Sequence, residues 1–504
     1  MGLRNVLLVG LALVVACVFA ALPTPAGLDH AGQFALSTGL FAAILWVTGA
    51  LPLPVTALLI PVCLTLLGVF PRLSDALTGF ADPIVFLLLS GFMLAAALQR
   101  QNLDRKIAYV LLVRLGTSPR RLVLAVMVTT ALLSMVISNT ATTAMMAPIA
   151  LGLATQVTGE HEAHSNLHRS LLLGTAYAAS VGGVGTLIGT PPNAIVVAAL
   201  AEFADIQISF VEWLAIGLPV VIVTLPLVWY VLTFVVFPPA ANDVSAVRDE
   251  TRAMLEADGP LSPQAKRVAL IFGATATLWI LGGLGFLFEG MLSPRLYVTL
   301  FGGSGPSLVG AGGHQGALYF VVVGLLSIPA LLLADTVEWD DLLAIDWGTL
   351  LLLGGGLSLA NALTETGATE WLATNTFGVV MDAPLFVLLF VIIIVTILAG
   401  ELASNTAMAA ILAPLLITAG LATGGAFGAA PVAVALTLAL SGAIAASFGF
   451  ALPVATPPNA IVFGTGELTR GEMLRAGALL DVLMALVLTV LFSLLLRVWP
   501  SIVA

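Results

Sequence analysis

Two motifs occur twice in this chain at a single spacing. Ser138-Asn139-Thr140-Ala141 returns as Ser404-Asn405-Thr406-Ala407, and Thr190-Pro191-Pro192-Asn193-Ala194-Ile195-Val196 returns as Thr456-Pro457-Pro458-Asn459-Ala460-Ile461-Val462; both returns lie 266 residues downstream. The stretch around Ser90-Gly91 has a weaker echo near Gly355-Gly356. Two motifs recurring at one offset mark a duplicated chain, which is expected to fold as two related halves.

The medium in which the halves fold follows from charge. Of 504 residues only 9% are charged, 17 basic and 27 acidic, while 60% are hydrophobic. Soluble domains carry roughly a quarter charged residues. A soluble enzyme, a nucleic-acid binder and a disordered chain are therefore excluded. The apolar runs are continuous rather than alternating, which favours membrane-spanning helices over a barrel. The net charge of −10 argues against anionic surfaces as partners. The two cysteines, Cys17 and Cys63, both stand in apolar runs, so neither a disulfide framework nor a thiolate metal site is expected.

Spans of about 20 apolar residues are expected near 5–22, 33–50, 52–70, 83–99, 172–200, 214–237, 268–288, 317–334, 348–363, 431–464 and 473–498. Two further apolar stretches, 122–154 and 385–420, are each interrupted at the centre by Ser-Asn-Thr. Their halves suit re-entrant hairpins better than full crossings. The expectation is an all-α polytopic membrane protein of about eleven transmembrane helices plus two re-entrant hairpins. With a cytoplasmic N-terminus, fourteen basic residues lie inside (Arg4, Arg100, Arg105, Lys106, Arg114, Arg120, Arg121, Arg169, Arg248, Arg252, Lys266, Arg267, Arg470, Arg475). Only Arg72, Arg295 and Arg497 lie outside, with the C-terminus. That bias obeys the positive-inside rule, and counting either hairpin as a crossing would spoil it.

This layout divides the chain into a membrane anchor helix (1–32), a first repeat (33–238), a polar linker (239–266) and a second repeat (267–504). The first repeat contains hairpin 122–154 and broken helix 172–200; the second contains hairpin 385–420 and broken helix 431–464. The first segment also has signal-peptide features, but its apolar run is long for one, so an uncleaved anchor is expected. The linker is acidic (Asp243, Asp249, Glu250, Glu256, Asp258) and is expected to be cytoplasmic. The Gly-rich segment 302–316 lacks a Lys-Ser/Thr ending and reads as a mobile external connection rather than a phosphate loop. On this topology the first hairpin enters from the cytoplasm and the second from outside. Inverted repeats are the signature of a secondary transporter.

Each motif has a physical reading. Ser, Asn and Thr at a hairpin tip cap a half-helix whose N-terminal end favours an anion, and their side chains donate to carboxylate oxygens. Tandem proline removes two N–H donors, breaks the helix and frees upstream carbonyls, which at membrane depth suit a cation. A plain cap and a plain kink would explain one copy of each. Two matched pairs in broken helices point to a co-transport site.

At these residues the chain resembles the divalent anion:sodium symporter family of di- and tricarboxylate transporters, over nearly its whole length. The resemblance implies a homodimer whose protomers each have a scaffold domain and a transport domain moving as an elevator. It implies that Ser138, Asn139 and Thr140, with Ser404, Asn405 and Thr406, hold the substrate carboxylates, with Thr190 and Thr456 nearby. It implies one sodium among Ser134, Ser138, Asn139 and Gly189, and a second among Gly400, Ala403, Asn405 and Ala455. Relatives often carry Thr at the position of Gly400, so the number of sodium ions stays open. So does sodium-independent dicarboxylate exchange.

Other residues invite a role. Glu401, three residues before the second Ser-Asn-Thr, is an intramembrane acid and thus a candidate for cation or proton coupling. His161, His164 and His168 have a spacing that a metal could use, but a solvated loop is the simpler reading. The basic run 100–121 reads as an interfacial arm; the acidic cluster Asp335, Glu338, Asp340, Asp341 and Asp346 reads as solvated or paired with it. Trp213, Trp347 and Trp499 near span ends read as interface anchors. The expected activity is sodium-coupled uptake of a succinate-like or citrate-like anion, with no cofactor and no enzymatic chemistry. Sulfate transport, a sodium/proton or arsenite carrier, an ion channel and an intramembrane hydrolase are the alternatives. The hydrolase is weakened because all five His (His30, His161, His164, His168, His314) stand in polar or terminal segments.

Overall fold

The computed structural model describes residues 2–114, 118–158, 165–240, 245–377, 383–427 and 429–498. Helices dominate these residues; the strand pair Gly302–Gly303 with His314–Gln315 lies within the Gly-rich segment, registered Gly302 to Gln315 and Gly303 to His314. That segment is thus closed by a short antiparallel pairing where a mobile connection is expected. Eight helices are long and apolar enough to cross a membrane, and five shorter apolar ones accompany them among the described residues.

The interrupted stretches break where the motifs stand. The first hairpin is helix Pro119–Ser134, a four-residue tip at 135–138, and helix Asn139–Thr158. The second is helix Leu385–Gly400, a tip at 401–404, and helix Asn405–Thr423. Helix Asn166–Gly183 is followed by a loop at 184–190 and then by helix Pro191–Ala204. Helix Pro431–Ala446 is followed by a loop at 447–456 and helix Pro457–Gly464. In both places the tandem prolines are the first two helical residues. There the missing N–H groups would have had no intrahelical partner. The break itself lies upstream, in the seven and ten residues before them.

Internal contacts divide the chain into two compact units. One comprises Met1–Val85, Pro191–Gln207 and Asp346–Ala504 and so contains the second hairpin and the second loop. Its core joins Trp46, Ile60, Leu64 and Phe70 to Leu352 and Leu359. Helix Trp347–Glu365 approaches closely through its Gly354-Gly355-Gly356 run, where a Cβ at Gly355 would stand 2.5 Å from the Ala57 carbonyl. Helix Leu3–Ala21 buries only Ala12 and Ala16. It is tied to helix His30–Thr48 by Ser37 Oγ on the Ala16 carbonyl (2.7 Å) and Gln33 Nε2 on the Phe19 and Leu22 carbonyls (2.8 and 2.9 Å). Its other face leaves Leu3, Leu7, Leu11, Val14 and Val18 exposed, a surface suited to lipid.

The other unit comprises Phe86–Thr190 and Ile208–Ile345 and contains the first hairpin and the first loop. Helix Phe210–Tyr230 begins with a capping box, Ser209 with Glu212, and runs on into a π-helical segment, Val231–Val236. At one end of this unit the basic run meets acids. Arg100 pairs with Asp341 at 2.8 Å and Arg105 with Asp258 at 2.8 Å, so the acidic cluster is in part paired with the arm. The linker carries a helix, Ser245–Ala257. These exposed pairs contribute only about 0–1 kcal/mol each, and they fix register more than stability.

Candidate functional site

The first tip is an oxygen cluster. Ser138 caps the returning helix, its Oγ accepting the Ala141 N–H at 3.3 Å. Ser134 Oγ stands 2.6 Å from Asn139 Oδ1 and 2.8 Å from the Ala179 carbonyl, two acceptors for one hydroxyl proton. A Cβ at Gly189 would overlap the Gly183 carbonyl and stand 3.0 Å from the Ser134 carbonyl, so only glycine admits both oxygens there. A Cβ at Gly183 would in turn overlap Asn139 Oδ1. Ser134, Asn139 and Gly189 are therefore brought together, with Gly183 as an added carbonyl. Such a set of oxygens with too few protons suits a hard cation. Thr140 is exposed at the tip, and Thr190 is buried.

Two contacts hold the first loop. The Thr186 hydroxyl donates to the Met135 carbonyl of the tip. Trp213 Nε1 donates to the Val184 carbonyl at 3.0 Å, and Trp213 is 0% exposed. Trp213 is thus a brace inside the unit, not an interface anchor. An indole N–H inside a protein needs an acceptor, and an unwound loop has carbonyls to offer.

The second tip is built differently. Gly400 takes the place corresponding to Ser134, and no atom would come closer than 3.8 Å to a Cβ there. Without that hydroxyl, Asn405 Oδ1 is buried and has no hydrogen-bond partner among the described residues. A buried carbonyl oxygen left this way costs about 1–3 kcal/mol, unless a cation completes it. Asn459 Nδ2 holds the second loop from within, donating to the Gly449 and Leu452 carbonyls at 3.0 Å each. Thr456 Oγ caps the following helix by accepting the Asn459 N–H at 3.2 Å. A Cβ at Gly449 would lie 3.2 Å from Ala455 Cβ and 3.5 Å from Glu401 Oε1, which places these three residues side by side. Ala403 donates its N–H to the Ala399 carbonyl, and Thr406 is half-buried.

Glu401 is 4% exposed and fully engaged. Oε1 accepts the Ala451 N–H at 2.8 Å and Oε2 the Leu452 N–H at 2.7 Å. Asp481, 1% exposed in the middle of helix Arg470–Val498, accepts the Phe450 N–H at 3.2 Å and lies beside Glu401. Three consecutive loop N–H groups thus point at two carboxyls, an anion-binding nest filled by the protein itself.

The chain matches the sodium:sulfate symporter transmembrane region over residues 4–502. It belongs to that family. An uncharacterized transporter of Haemophilus influenzae is 34% identical over 450 residues, covering 89% of this chain and 88% of that one. The sodium-dependent dicarboxylate transporter SdcS of Staphylococcus aureus is 31% identical over 476 residues, covering 92% and 86%. In fold the chain is similar to the Alcanivorax borkumensis YdaH transporter, with TM-score 0.56, 16% identity and coverage of 98% and 97%. This symporter-family chain is therefore a multi-pass membrane transporter, not an enzyme, in a family whose transport is coupled to sodium.

Two residues that hold the loops belong to neither motif. Asp481 was within reach of the rule that flagged Glu401, since it is an acid inside a long apolar run. Trp213 had no such signal, because an indole near a span end reads equally well as a lipid anchor. His168 also departs from expectation: it lies in helix Asn166–Gly183, 2% exposed, with Nδ1 2.9 Å from Ser165 Oγ. His161, His164 and Trp499 lie outside the described residues.

Proposed function

We propose that this chain is a sodium-coupled symporter for a divalent carboxylate of the succinate or citrate type. The observation that carries the reading is Asn405 Oδ1, a buried oxygen with no donor, in a tip whose counterpart gathers several oxygens around Gly189. Those oxygens suit two cations, one among Ser134, Ser138, Asn139 and Gly189 and one among Gly400, Ala403, Asn405 and Ala455. The substrate carboxylates are held by Ser138, Asn139 and Thr140 with Ser404, Asn405 and Thr406, with Thr190 and Thr456 beside them. Pro191, Pro192 and Asn193, and Pro457, Pro458 and Asn459, start the helices that follow the two breaks and so fix where each loop ends. No basic residue stands in either motif, so bound cations and helix ends offset the charge of the anion. Coupling follows, because the anion is poorly compensated until the cation is present.

The similarity to SdcS favours a dicarboxylate. The family's sodium:sulfate description gives sulfate as the second reading. The working form is a homodimer in the cytoplasmic membrane, N-terminus inside and C-terminus outside, operating as an elevator. In proteoliposomes, succinate uptake is expected only with an inward sodium gradient. Uptake unchanged when choline replaces sodium would overturn the coupling. Sulfate but not dicarboxylates raising the thermal midpoint of the purified protein would overturn the substrate assignment.

A further inference from the structure

The 266-residue offset pairs Met135 with Glu401, Val184 with Phe450 and Thr186 with Leu452. These pairs make the same contact with the chemistry reversed. In the first half, the side chain of residue 186 donates to the backbone carbonyl of residue 135. In the second half, the backbone N–H of residue 452 donates to the side chain of residue 401. The neighbouring contact is reversed as well. Val184 offers its carbonyl to Trp213 from helix Phe210–Tyr230, whereas Phe450 offers its N–H to Asp481 from helix Arg470–Val498.

A tie that persists between matched positions while its donor and acceptor change places is retained for the tie, not for the charge. Glu401's oxygens are also directed at N–H donors: the backbone amides of Ala451 and Leu452 occupy them. We infer that Glu401, braced by Asp481, is a positioning residue that ties the second loop to the tip of the second hairpin, and that it is not a ligand of the coupling cation. The tie sets the distance between Ala455 on the loop and Gly400 and Asn405 on the hairpin. This inference rests on the symporter reading above, but its structural half does not depend on transport.

The test transplants the first tie into the second half. Glu401→Met removes the carboxylate, and adding Leu452→Thr places a hydroxyl where Thr186 stands, facing a Met at the position of Met135. Glu401→Met alone is expected to raise the sodium concentration for half-maximal uptake about tenfold or more, as loss of several buried hydrogen bonds implies. The double variant is expected to recover most of that shift and the wild-type Hill coefficient for sodium. Asp481→Asn keeps an acceptor for the Phe450 N–H and nearly the same volume beside Glu401, so it is expected to leave half-saturation unchanged. The thermal midpoint in detergent, read without substrate, should fall in Glu401→Met and recover in the double variant. A Glu401→Met protein with wild-type sodium dependence would overturn the inference. So would a double variant that regains its thermal midpoint but keeps a reduced Hill coefficient, because that is the behaviour of a lost cation ligand. If Glu401→Met does not accumulate in membranes, a shifted half-saturation in Asp481→Asn overturns the inference and an unshifted one supports it. Absence of sodium-driven uptake in the wild type, with the thermal pattern intact, would defeat the symporter reading and leave the tie standing.

Discussion

The two motif-bearing regions share a sequence pattern and differ in electrical sign. In the first, the loop is held through carbonyls, by the Trp213 indole on Val184 and by Thr186 reaching the Met135 carbonyl. In the second, it is held through three N–H groups, by Glu401 and Asp481. No acid stands between Ser134 and Thr158 or between Asn166 and Asn193. The second region therefore carries a carboxyl, Glu401, in its tip, where the first has Met135. Matched positions of the two regions exchange donors for acceptors, so closure of the loops, and not a particular charge, is what the two regions share.

The largest effect is expected where the second region has no room. Helix Arg470–Val498 crosses the loop at Gly477, and a Cβ there would overlap the Phe450 carbonyl and the Ala451 backbone. Gly477→Val must part the helix from the loop and so withdraw Asp481 from the Phe450 N–H. Overpacking of this kind costs about 1–3 kcal/mol, with the loss of a buried hydrogen bond added to it. Uptake is expected to vanish and the thermal midpoint to fall by several degrees. Uptake within a factor of two of wild type would mean that the loop is not held from that side.

How far the sequence reached can be judged from these residues. The helical membrane class and the break at the centre of both interrupted stretches followed from apolar run length and from Ser-Asn-Thr, because desolvation of the backbone leaves few ways to cross a bilayer. The tips followed too, since capping residues act locally. What holds the loops did not follow. Trp213 and Asp481 act across 29 and 31 residues, on Val184 and Phe450, and tertiary contacts of that range leave no periodic trace. Asn459 stands in the second motif with nothing local to mark its partners, and its amide closes the loop by binding Gly449 and Leu452. The linker helix Ser245–Ala257 was hidden by its charge, which reads as plain solvation.

A smaller effect should come from the first region's brace. Trp213→Phe retains most of the ring volume and deletes the one N–H that joins this helix to the Val184 carbonyl. The cost is about 1–3 kcal/mol, less than in Gly477→Val because no backbone is displaced. Reduced uptake with an unchanged sodium Hill coefficient is expected, measured beside the thermal midpoint. If Trp213→Phe proved as damaging as Gly477→Val, the difference between a region braced by neutral bonds and a region braced by carboxyls would lose its meaning.

The mildest and most discriminating change exchanges the one hydroxyl by which the tips differ. Ser134 Oγ faces both Asn139 Oδ1 and the Ala179 carbonyl, so its proton turns to Ala179 when a cation takes the Asn139 oxygen. Gly400 has space for the same side chain, and a Cβ there would lie 3.8 Å from Asn405 Oδ1 and 3.8 Å from the Ala446 carbonyl, an alternative acceptor one residue beyond the counterpart of Ala179. Gly400→Ser should therefore add an oxygen ligand without crowding the tip and lower the sodium concentration for half-maximal uptake. Ser134→Gly should do the opposite in the first tip. One hydrogen bond or weak ligand is worth about 0.5–1.5 kcal/mol, which corresponds to a shift of roughly two- to tenfold. Shifts of opposite sign would make the hydroxyl the sole cause of the difference between the tips. Shifts of the same sign would show that the hydroxyl at 134 serves Asn139 as a donor and not the cation as an oxygen, and the second tip would then be complete with its glycine.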